Sequence, residues 1–215
     1  MASTVVVSSE PSRNKRLREL SLVVPGHADQ RWGLLEAVRA AVAGRAGATD
    51  NDARSAAGYS AWNSPTRRLR EVYREFKGWE KFEENGVEGI LNHNLKLRIV
   101  VVSTDEGTCD LESSPRNRTP KGPARKNNID LNNQMSLFGT SLPVIRAGYQ
   151  TLELCIFDDG NDVRAELSLP IGFEDKRFLQ FAERIFLIDP GEWIKIAIDS
   201  DENGDDIEPE VRRRK

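Results

Sequence analysis

The segment LKLRIVVVS, residues 95–103, contains the clearest strand signal of the chain. Ile99 to Val102 form a run of four β-branched residues, a pattern typical of a strand that is buried on both faces. We therefore predict a strand here, close to the centre of a sheet. The remaining elements are inferred outward from this strand.

A β-hairpin is predicted downstream, in TLELCIFDDGNDVRAELSLP, residues 151–170. Apolar residues alternate with other residues along both halves, and Asp159-Gly160 supplies a favoured turn between them. The segment WIKIAID, residues 193–199, alternates in the same way and predicts a last strand. The strand signals therefore lie in the second half of the chain.

Helices are predicted from apolar residues that recur every three or four positions. The best helical pattern, residues 32–45, places Trp32, Leu35 and Val38 on one face, and a flexible link follows it. Ser64-Pro65 is a typical helix start, with serine as the N-cap and proline at the first position. Two further helices are predicted, a short one around Trp79 and Phe82 and a longer one over residues 174–187 with Phe178, Phe181, Ala182 and Ile185 on its apolar face.

These elements indicate the α+β class, with a single mixed or mainly antiparallel sheet and helices packed on one face. The chain has 215 residues, of which 38% are hydrophobic, enough for one substantial core. We predict a partly ordered N-terminal segment over residues 1–30 and a single domain over residues 31–200. Residues 201–215 are expected to form a charged tail or a short hairpin.

Composition indicates no strong preference for a charged partner. The chain carries 31 Lys and Arg against 34 Asp and Glu, a net charge of −3, so any contact with nucleic acid must come from a local patch. The abundance of Ala, Arg and Asp weakly favours a bacterial origin. The two cysteines, Cys109 and Cys155, form no CxxC motif or Cys/His cluster, which disfavours a disulfide scaffold and a structural zinc site.

No segment resembles a membrane span or a signal peptide. No apolar run approaches the roughly 18 residues that a bilayer requires, and the N-terminal VVV precedes the basic residues of its neighbourhood instead of following them. We therefore expect no membrane contact and a cytoplasmic location. The sequence does not indicate an oligomeric state.

A long polar stretch, residues 104–134, follows the first strand, and loops of this length are uncommon unless they are functional or disordered. Residues 113–126, SSPRNRTPKGPARK, carry five cations and no acid. Arginine forks and lysine charges bind phosphate oxygens, so this basic loop predicts contact with nucleic acid or phosphate. The predicted contact residues are Arg116, Arg118, Lys121, Arg125 and Lys126.

The basic loop contains no aromatic residue for stacking on bases, so it is expected to recognise charge and not sequence. Two alternatives remain open. The loop is either an ordinary solvated surface segment, or its cations are neutralised by the acidic residues 199–210 of the same chain or of a second copy.

Acidic residues raise the alternative of a metal-dependent phosphodiesterase or nuclease, since such enzymes gather carboxylates at a sheet edge to hold Mg²⁺. The candidate metal ligands are Asp105, Glu106, Asp158, Asp159, Asp162 and Glu166. Ser168 occupies the position where these enzymes commonly carry a lysine, which weakens this hypothesis. The simpler interpretation is that DDGND is only a turn.

The carboxyl ends of strands are common ligand sites in α/β sheets, and Asp105 and Glu106 directly follow the first strand. The basic loop begins at the same place. We therefore predict that any site lies at a mouth formed by five residues of this region. They are Asp105, Glu106, Arg116, Arg118 and Lys121.

The acidic stretch DSDENGDDIEPE, residues 199–210, matches the written positions of an EF-hand calcium loop. An EF-hand loop lies between two helices, whereas a predicted strand precedes this one and only five residues follow Glu210. Asp206 also stands where an apolar residue is usual. An Asn203-Gly204 hairpin turn is the preferred interpretation, and no cofactor is predicted, apart from Mg²⁺ under the nuclease alternative.

No catalytic residues are assigned. The chain contains no GxSxG, HExxH, P-loop or GxGxxG motif, and no stretch carries a recognisable family signature. The sequence best fits a non-enzymatic accessory or binding protein that contacts nucleic acid or a protein partner through its basic loop. The alternatives are the metal-dependent nuclease and a structural subunit of a larger complex, and whether the protein is an enzyme stays open.

Overall fold

The computed structural model of the chain describes residues 4–76, 78–138 and 148–193, with the backbone alone for residues 135–138. The strands are β1 Val5–Val7, β2 Trp79–Glu84, β3 Val87–Asn92, β4 Leu97–Ser103, β5 Gln150–Asp158, β6 Val163–Glu174 and β7 Arg177–Ile188. The helices are α1 Glu10–Glu19, α2 Trp32–Ala46, α3 Ala56–Tyr73 and α4 Pro123–Phe138. No helix among these residues is long and apolar enough to span a bilayer.

All seven strands belong to one mixed sheet, in the order β1-β7-β6-β5-β4-β3-β2. An antiparallel meander, β2-β3-β4, lies on one side, and a second, β5-β6-β7, lies on the other. The parallel pair β4–β5 joins them, and β1 adds in parallel to β7. The predicted α+β fold with a single mixed sheet is therefore confirmed.

The strand predicted from residues 95–103 is β4, and it occupies the middle of the sheet. Ile99 to Val102 are each 0–1% exposed, because β3 and β5 pair with this strand and helices cover both of its faces. The hairpin predicted over residues 151–170 is also confirmed as β5 and β6, which pair antiparallel around Asp159-Gly160.

Helices cover both faces of the sheet, so the prediction of helices on one face is wrong. Leu152 and Leu154 of β5 pack in the main core with α1, α2 and α3. Cys155 points to the other face, where it packs with Ile129 of α4. The physical reason is the parallel β4–β5 pair, since its crossover helix must lie on a face and α1 to α3 already occupy the first one.

The N-terminal residues are more regular than the sequence predicts. Val5–Val7 gains a partner strand in β7, and the hydroxyl of Thr4 donates to the carbonyl of Phe181. Leu17 of α1 and Leu20 just after it are buried, as expected for one apolar turn against the body of the protein. The domain boundary at residue 30 stays a prediction.

The helix α2 begins at the predicted Trp32 and ends one residue beyond the prediction. By contrast, α3 does not begin at Ser64-Pro65, because its first turns start at Ala56, within the predicted flexible link, and Pro65 lies inside the helix. Alanine favours helix at this earlier start, and α3 continues through Pro65 although a proline there removes one helical hydrogen bond and crowds the carbonyl four residues before it.

The short helix predicted around Trp79 and Phe82 is instead the edge strand β2. Only Trp79 and Phe82 of this strand are buried, and their three-residue spacing resembles a helical pattern. The Asn85-Gly86 turn, with φ of 51° and 73°, then joins β2 to β3. Two left-handed residues in a row fit the tight turn that matches the twist of a hairpin.

The helix predicted over residues 174–187 is also wrong, since residues 177–188 form β7. Register shifts between Leu169 and Phe173 of β6 interrupt the alternation of the β6–β7 pair. Phe178 and Phe181 consequently pack in the same cluster although they are three residues apart. A bulged strand can therefore imitate helical spacing.

The polar stretch predicted as a loop over residues 104–134 is a loop only as far as Gly122, and α4 follows from Pro123. Two of its cations, Arg125 and Lys126, are therefore helical. The contact of this segment with nucleic acid or phosphate stays a prediction. The predicted strand beyond Trp193, the EF-hand-like acids at 199–210 and the tail at 201–215 lie outside the described residues.

Candidate functional site

A cleft of about 390 Å³ lies beside the carboxyl end of β4. We call it the α3–α4 cleft, because its walls come from the first turns of α3 and α4, with the β2–β3 turn and the end of the loop between them. Its lining residues are Gly58, Tyr59, Trp62, Asn85, Gly86, Val87, Glu88, Ser103, Thr119, Lys121, Gly122, Ala124 and Arg125. The crossover from β4 to α4 thus builds a concave surface at a strand end, where ligand sites are common.

One wall of the cleft is aromatic. The ring of Tyr59 is unusually open for its size, with 59% of the residue exposed, and Trp62 is half-buried beside it. Their ring centroids lie 5.9 Å apart. Because the two ring planes are inclined by 59°, each ring separately offers an apolar face on which a planar ligand can stack.

Another part of the cleft lining is cationic. Lys121 lies at the end of the loop and Arg125 in the first turn of α4. Burial lowers the pKa of Lys121, and the nearby positive charge of Arg125 lowers it further, while Glu153 acts in the opposite direction. Two cations and the N-terminus of a helix therefore face one small volume, which is an arrangement that attracts anions.

Arg125 is held by a carboxylate beneath it. Its Nη2 lies 3.3 Å from Oε2 of Glu153, a residue of β5 that is fully buried. Neither carboxylate oxygen of Glu153 accepts a hydrogen bond from a described residue, and Nη1 of Arg125 also lacks a partner. Burial raises the pKa of Glu153. This buried pair is poorly satisfied on both sides, which is unusual for charged groups in a protein interior.

A second hollow of about 280 Å³ continues the first one along α4. Both hollows are lined by Asn85, Val87 and Ala124, so we treat them together as the binding groove. The other lining residues of the second hollow are Phe82, Glu84, Arg98, Asn127, Asn128, Leu131, Gly148 and Tyr149. The groove thus runs between the β2–β3 hairpin and α4.

The far end of the binding groove repeats the combination of aromatic rings and positive charge. The guanidinium carbon of Arg98 lies 4.4 Å from the ring centroid of Phe82 and 4.9 Å from that of Tyr149. Lys96 lies 5.2 Å from the same tyrosine ring. Glu84 pairs with Arg98 at 2.9 Å, so part of this charge is already neutralised.

The predicted contact residues do not form one patch. Lys121 and Arg125 line the α3–α4 cleft, whereas Arg118 packs 5.3 Å from the ring centroid of Phe157 and donates to the carbonyl of Asp158. Arg116 is exposed in another hollow, and Lys126 pairs with Asp130 on the outer side of α4. Two of the five cations therefore face the groove.

The predicted mouth is also divided. Asp105, Glu106 and Arg116 do line one hollow of about 340 Å³, together with Phe178 and Leu179. Arg118 and Lys121 are absent from its lining. The backbone explains the separation, because the carboxylate of Asp105 accepts a hydrogen bond from the N–H of Arg116 and folds the loop back on itself.

The candidate metal ligands at the hairpin are engaged by their own neighbours. Asp159 accepts hydrogen bonds from the N–H groups of the turn, and Asp158 accepts one from Gly160. Asp162 pairs with Arg164 at 2.7 Å. Within residues 4–76, 78–138 and 148–193, no group of three histidines, cysteines or acids is arranged to hold a metal ion. The turn interpretation accounts for these contacts.

Glu166 has a different environment from the other acids, since it is fully buried and bound to Arg184 at 2.7 Å. Its carboxylate also accepts hydrogen bonds from Ser168 and from the N–H of Cys109. Arg184 in turn donates to three carbonyl oxygens of the loop. They belong to Gly107, Asp110 and Ser113. Glu166 therefore anchors the loop to the sheet.

Sequence patterns alone missed three residues of the cleft. Tyr59 and Trp62 lie before or at the edge of the predicted helix, in a segment that looks irregular in sequence. Glu153 interrupts the apolar run TLELCIF, and a charge within a strand that reads as buried was the available signal. Such a charge needs a partner on another element, here Arg125.

Comparison with known proteins adds no relative to this description. No family model, no curated protein and no solved structure matches the chain. We therefore infer function from the chemistry of the binding groove, since a fold by itself does not define a function.

Proposed function

We propose that the protein is a non-enzymatic nucleic-acid-binding protein that holds a single strand along the binding groove. The observation that carries this proposal is the α3–α4 cleft, in which exposed Tyr59 and half-buried Trp62 face the same volume as Lys121 and Arg125. Stacking surfaces combined with cations are the usual means of binding single strands.

The second half of the groove supports the same ligand. Half-buried Tyr149 lies beside Arg98 there, so an accessible aromatic ring and positive charge recur along one continuous surface, whereas Phe82 is buried with Arg98 over its ring. Cations of this kind contact phosphates, and aromatic rings stack on bases without strong sequence preference. The loop itself has no aromatic residue, but α3 and the residues before β5 supply these rings.

The acids of the groove favour binding over cleavage. Glu88 pairs with Arg70 at 3.1 Å and Glu84 pairs with Arg98. Both side chains are thus committed to arginines of the protein, and each is a single carboxylate and not part of a pair that could hold a metal between them. A strand lying in the groove would meet positive charge and rings, without a cluster of acids beside its phosphates.

Fluorescence anisotropy with a labelled 20-nucleotide single strand tests the proposal. Tyr59→Ala is expected to weaken binding by about 5- to 100-fold, since stacking contributes about 1–3 kcal/mol per base. Lys121→Gln is expected to reduce the slope of log K against log salt by about 0.7, the value for one lost phosphate contact on a single strand. Leu111→Ala and Lys126→Gln are the matched controls, because both residues are exposed and neither lines the groove.

Unchanged affinity in Tyr59→Ala, or no binding at low salt, contradicts the proposal. Preferential binding of duplex over single strand also counts against it, because paired bases cannot stack on the rings. Degradation of the strand that requires Mg²⁺ and stops with chelator supports the nuclease alternative instead.

A further inference from the structure

A hydrogen-bond donor without a partner among the described residues lies buried just beneath the lining of the α3–α4 cleft. Arg125 is only 8% exposed, and its Nη1 has no partner among the described residues, although the residue lines the cleft. A buried guanidinium N–H without an acceptor costs stability, and native structures seldom keep one without a reason. An external acceptor at this point would complete the coordination of Arg125.

Further donors surround this position. Lys121 lines the cleft beside Arg125, and Ser103 and Thr119 add hydroxyl groups. The N–H of Ala124, in the first turn of α4, is one of the groups that a helix start leaves without an intrahelical partner. A cluster of donors with two positive charges fits an anion with several oxygen atoms.

The approach to these donors is open. A Cβ atom built on Gly122, directly before α4, meets no protein atom within 4 Å. Glycine at this point therefore leaves room for an anion next to the helix start. We call this position beside Lys121, Gly122 and Arg125 the seat, and no group of the described residues fills it.

We propose that this seat binds a phosphomonoester, the doubly charged phosphate at the end of a nucleic-acid strand or on a mononucleotide. The proposal rests on the proposed function for the strand, but the phosphate chemistry stands on the seat alone. Lys121, Arg125 and the helix start concentrate positive charge at one point, of which the Glu153 carboxylate beneath Arg125 offsets a part, whereas an internal phosphodiester carries only one negative charge. A terminal dianion matches that charge better.

Glu153 acts as a positioning residue for Arg125. Oε2 of its carboxylate lies 3.3 Å from Nη2 of Arg125, and Nη1, which is closed to solvent and has no partner among the described residues, reaches an acceptor in the cleft after a small turn of the guanidinium. The guanidinium fork is thus shared between an internal carboxylate and an external phosphate. Tyr59 and Trp62 line the same cleft, so the terminal base or the base of a mononucleotide has a ring to stack on.

Competition between oligonucleotides of identical sequence tests the seat. The probes are a 10-mer with a 5′-phosphate, one with a 3′-phosphate, one with both ends unphosphorylated, and adenosine monophosphate. We expect the full-length protein to bind one phosphorylated form about tenfold or more tightly than the unphosphorylated strand, consistent with a charge-assisted hydrogen-bond set. The preferred probe identifies the source of the phosphate, whether a strand end or a mononucleotide.

Two variants localise the effect. Lys121→Gln should remove the preference for phosphate in addition to the moderate loss of affinity that it causes for every strand, so the readout is the ratio of the affinities for the phosphorylated and unphosphorylated strands. Lys126→Gln, one residue beyond Arg125 and paired with Asp130, should keep the preference. The single variant Arg125→Gln is not used, because it leaves Glu153 buried without its cation. The double variant Arg125→Met/Glu153→Met is used in its place. Thermal melting checks that this variant is folded before its binding is measured.

The outcomes separate the two proposals. Strand binding with equal affinity for phosphorylated and unphosphorylated ends overturns the seat and leaves the proposed function in place. Tight binding of adenosine monophosphate that Lys121→Gln abolishes, without strand binding, supports the seat and overturns the proposed function. Absence of binding to all four probes overturns both, and a preference that survives in the folded double variant overturns the seat.

Discussion

Two arginine–glutamate pairs lie buried on the α4 face of the sheet, and they differ in how well their hydrogen bonds are satisfied. Glu166 and Arg184 are bound to each other, to Ser168 and to the backbone of the loop. Glu153 and Arg125 contact each other at 3.3 Å and leave three polar atoms without partners. At the scale of single residues, the first pair is a satisfied structural network, whereas the second keeps the unsatisfied polar atoms on which the proposed phosphate seat is based.

Replacing each pair by methionines should separate these roles. Arg125→Met/Glu153→Met is expected to be neutral or stabilising, because poorly satisfied buried charges are exchanged for packing. Glu166→Met/Arg184→Met is expected to lose at least about 3 kcal/mol, since the loop carbonyls that Arg184 satisfies lose their donor. Urea unfolding measures both free energies of unfolding, and equal losses in the two double variants would contradict the distinction.

At the scale of elements, the starts of α3 and α4 line the α3–α4 cleft. The early start of α3 at Ala56 brings Tyr59 and Trp62 onto a helix, and the start of α4 at Pro123 places Lys121 and Arg125 in the lining of the same cleft. Neither boundary is determined by apolar periodicity, because both first turns are polar or small. The site therefore depends on where these elements begin.

Gly58 offers a direct way to close the cleft. It lies within α3, lines the cleft, and a Cβ there meets no protein atom within 4 Å. Gly58→Ala and Gly58→Leu should each raise the free energy of unfolding by about 0.5–1 kcal/mol, because both residues favour helix over glycine.

The two Gly58 variants should differ in binding. The leucine side chain occupies the cleft, so we expect Gly58→Leu to lose about tenfold or more in affinity for the single strand, whereas Gly58→Ala remains close to the wild type. Thermal melting and fluorescence anisotropy measure the two effects. A leucine variant that is more stable and binds normally would show that the ligand lies elsewhere.

Strong periodic segments were predictable from sequence, and boundaries were not. The run of β-branched residues in β4 and the alternation in β5 and β6 predicted a central strand and a hairpin, since burial dictates both patterns. The β7 strand looked helical because register shifts in its pairing with β6 bring Phe178 and Phe181 together. Tertiary pairing, which no local pattern records, decided that segment.

The candidate site was predictable only in part. The basic run in residues 113–126 contributes two of its five cations to the lining of the cleft, and its role in binding stays a prediction. The end of the loop at Gly122 determines which two cations line the cleft. The carboxylate that positions Arg125 comes from β5, on the other side of the crossover, so only the fold brings it close.

At the scale of the whole molecule, charge and stability are linked through one buried acid. The chain has a net charge of −3, yet its groove is locally positive. Glu153 lies beneath that groove, and the charged groups that face it are Arg125 of α4 and Lys121 of the loop. Burial raises its pKa, so the folded state holds this proton more tightly than the unfolded chain does.

The sign of the resulting pH dependence follows from the raised pKa of Glu153. Its stabilising contribution is fully present below the unfolded carboxyl value of about 4.3 and is lost as the pH rises through the folded value. Glu153→Gln, which cannot ionise, should therefore lose less stability than the wild type as the pH rises above about 4.5. Urea unfolding across this range measures the difference, and parallel curves for the two proteins would contradict it.

Among the strands of the described residues, β2 lies at one end of the sheet, and this position bears on how copies of the protein behave in solution. Its sequence WEKFEE carries Glu80, Lys81, Glu83 and Glu84 along the border of the sheet. Charged side chains on a border strand discourage another chain from adding its own strand there. At high protein concentration, edge-to-edge aggregation through β2 is therefore disfavoured.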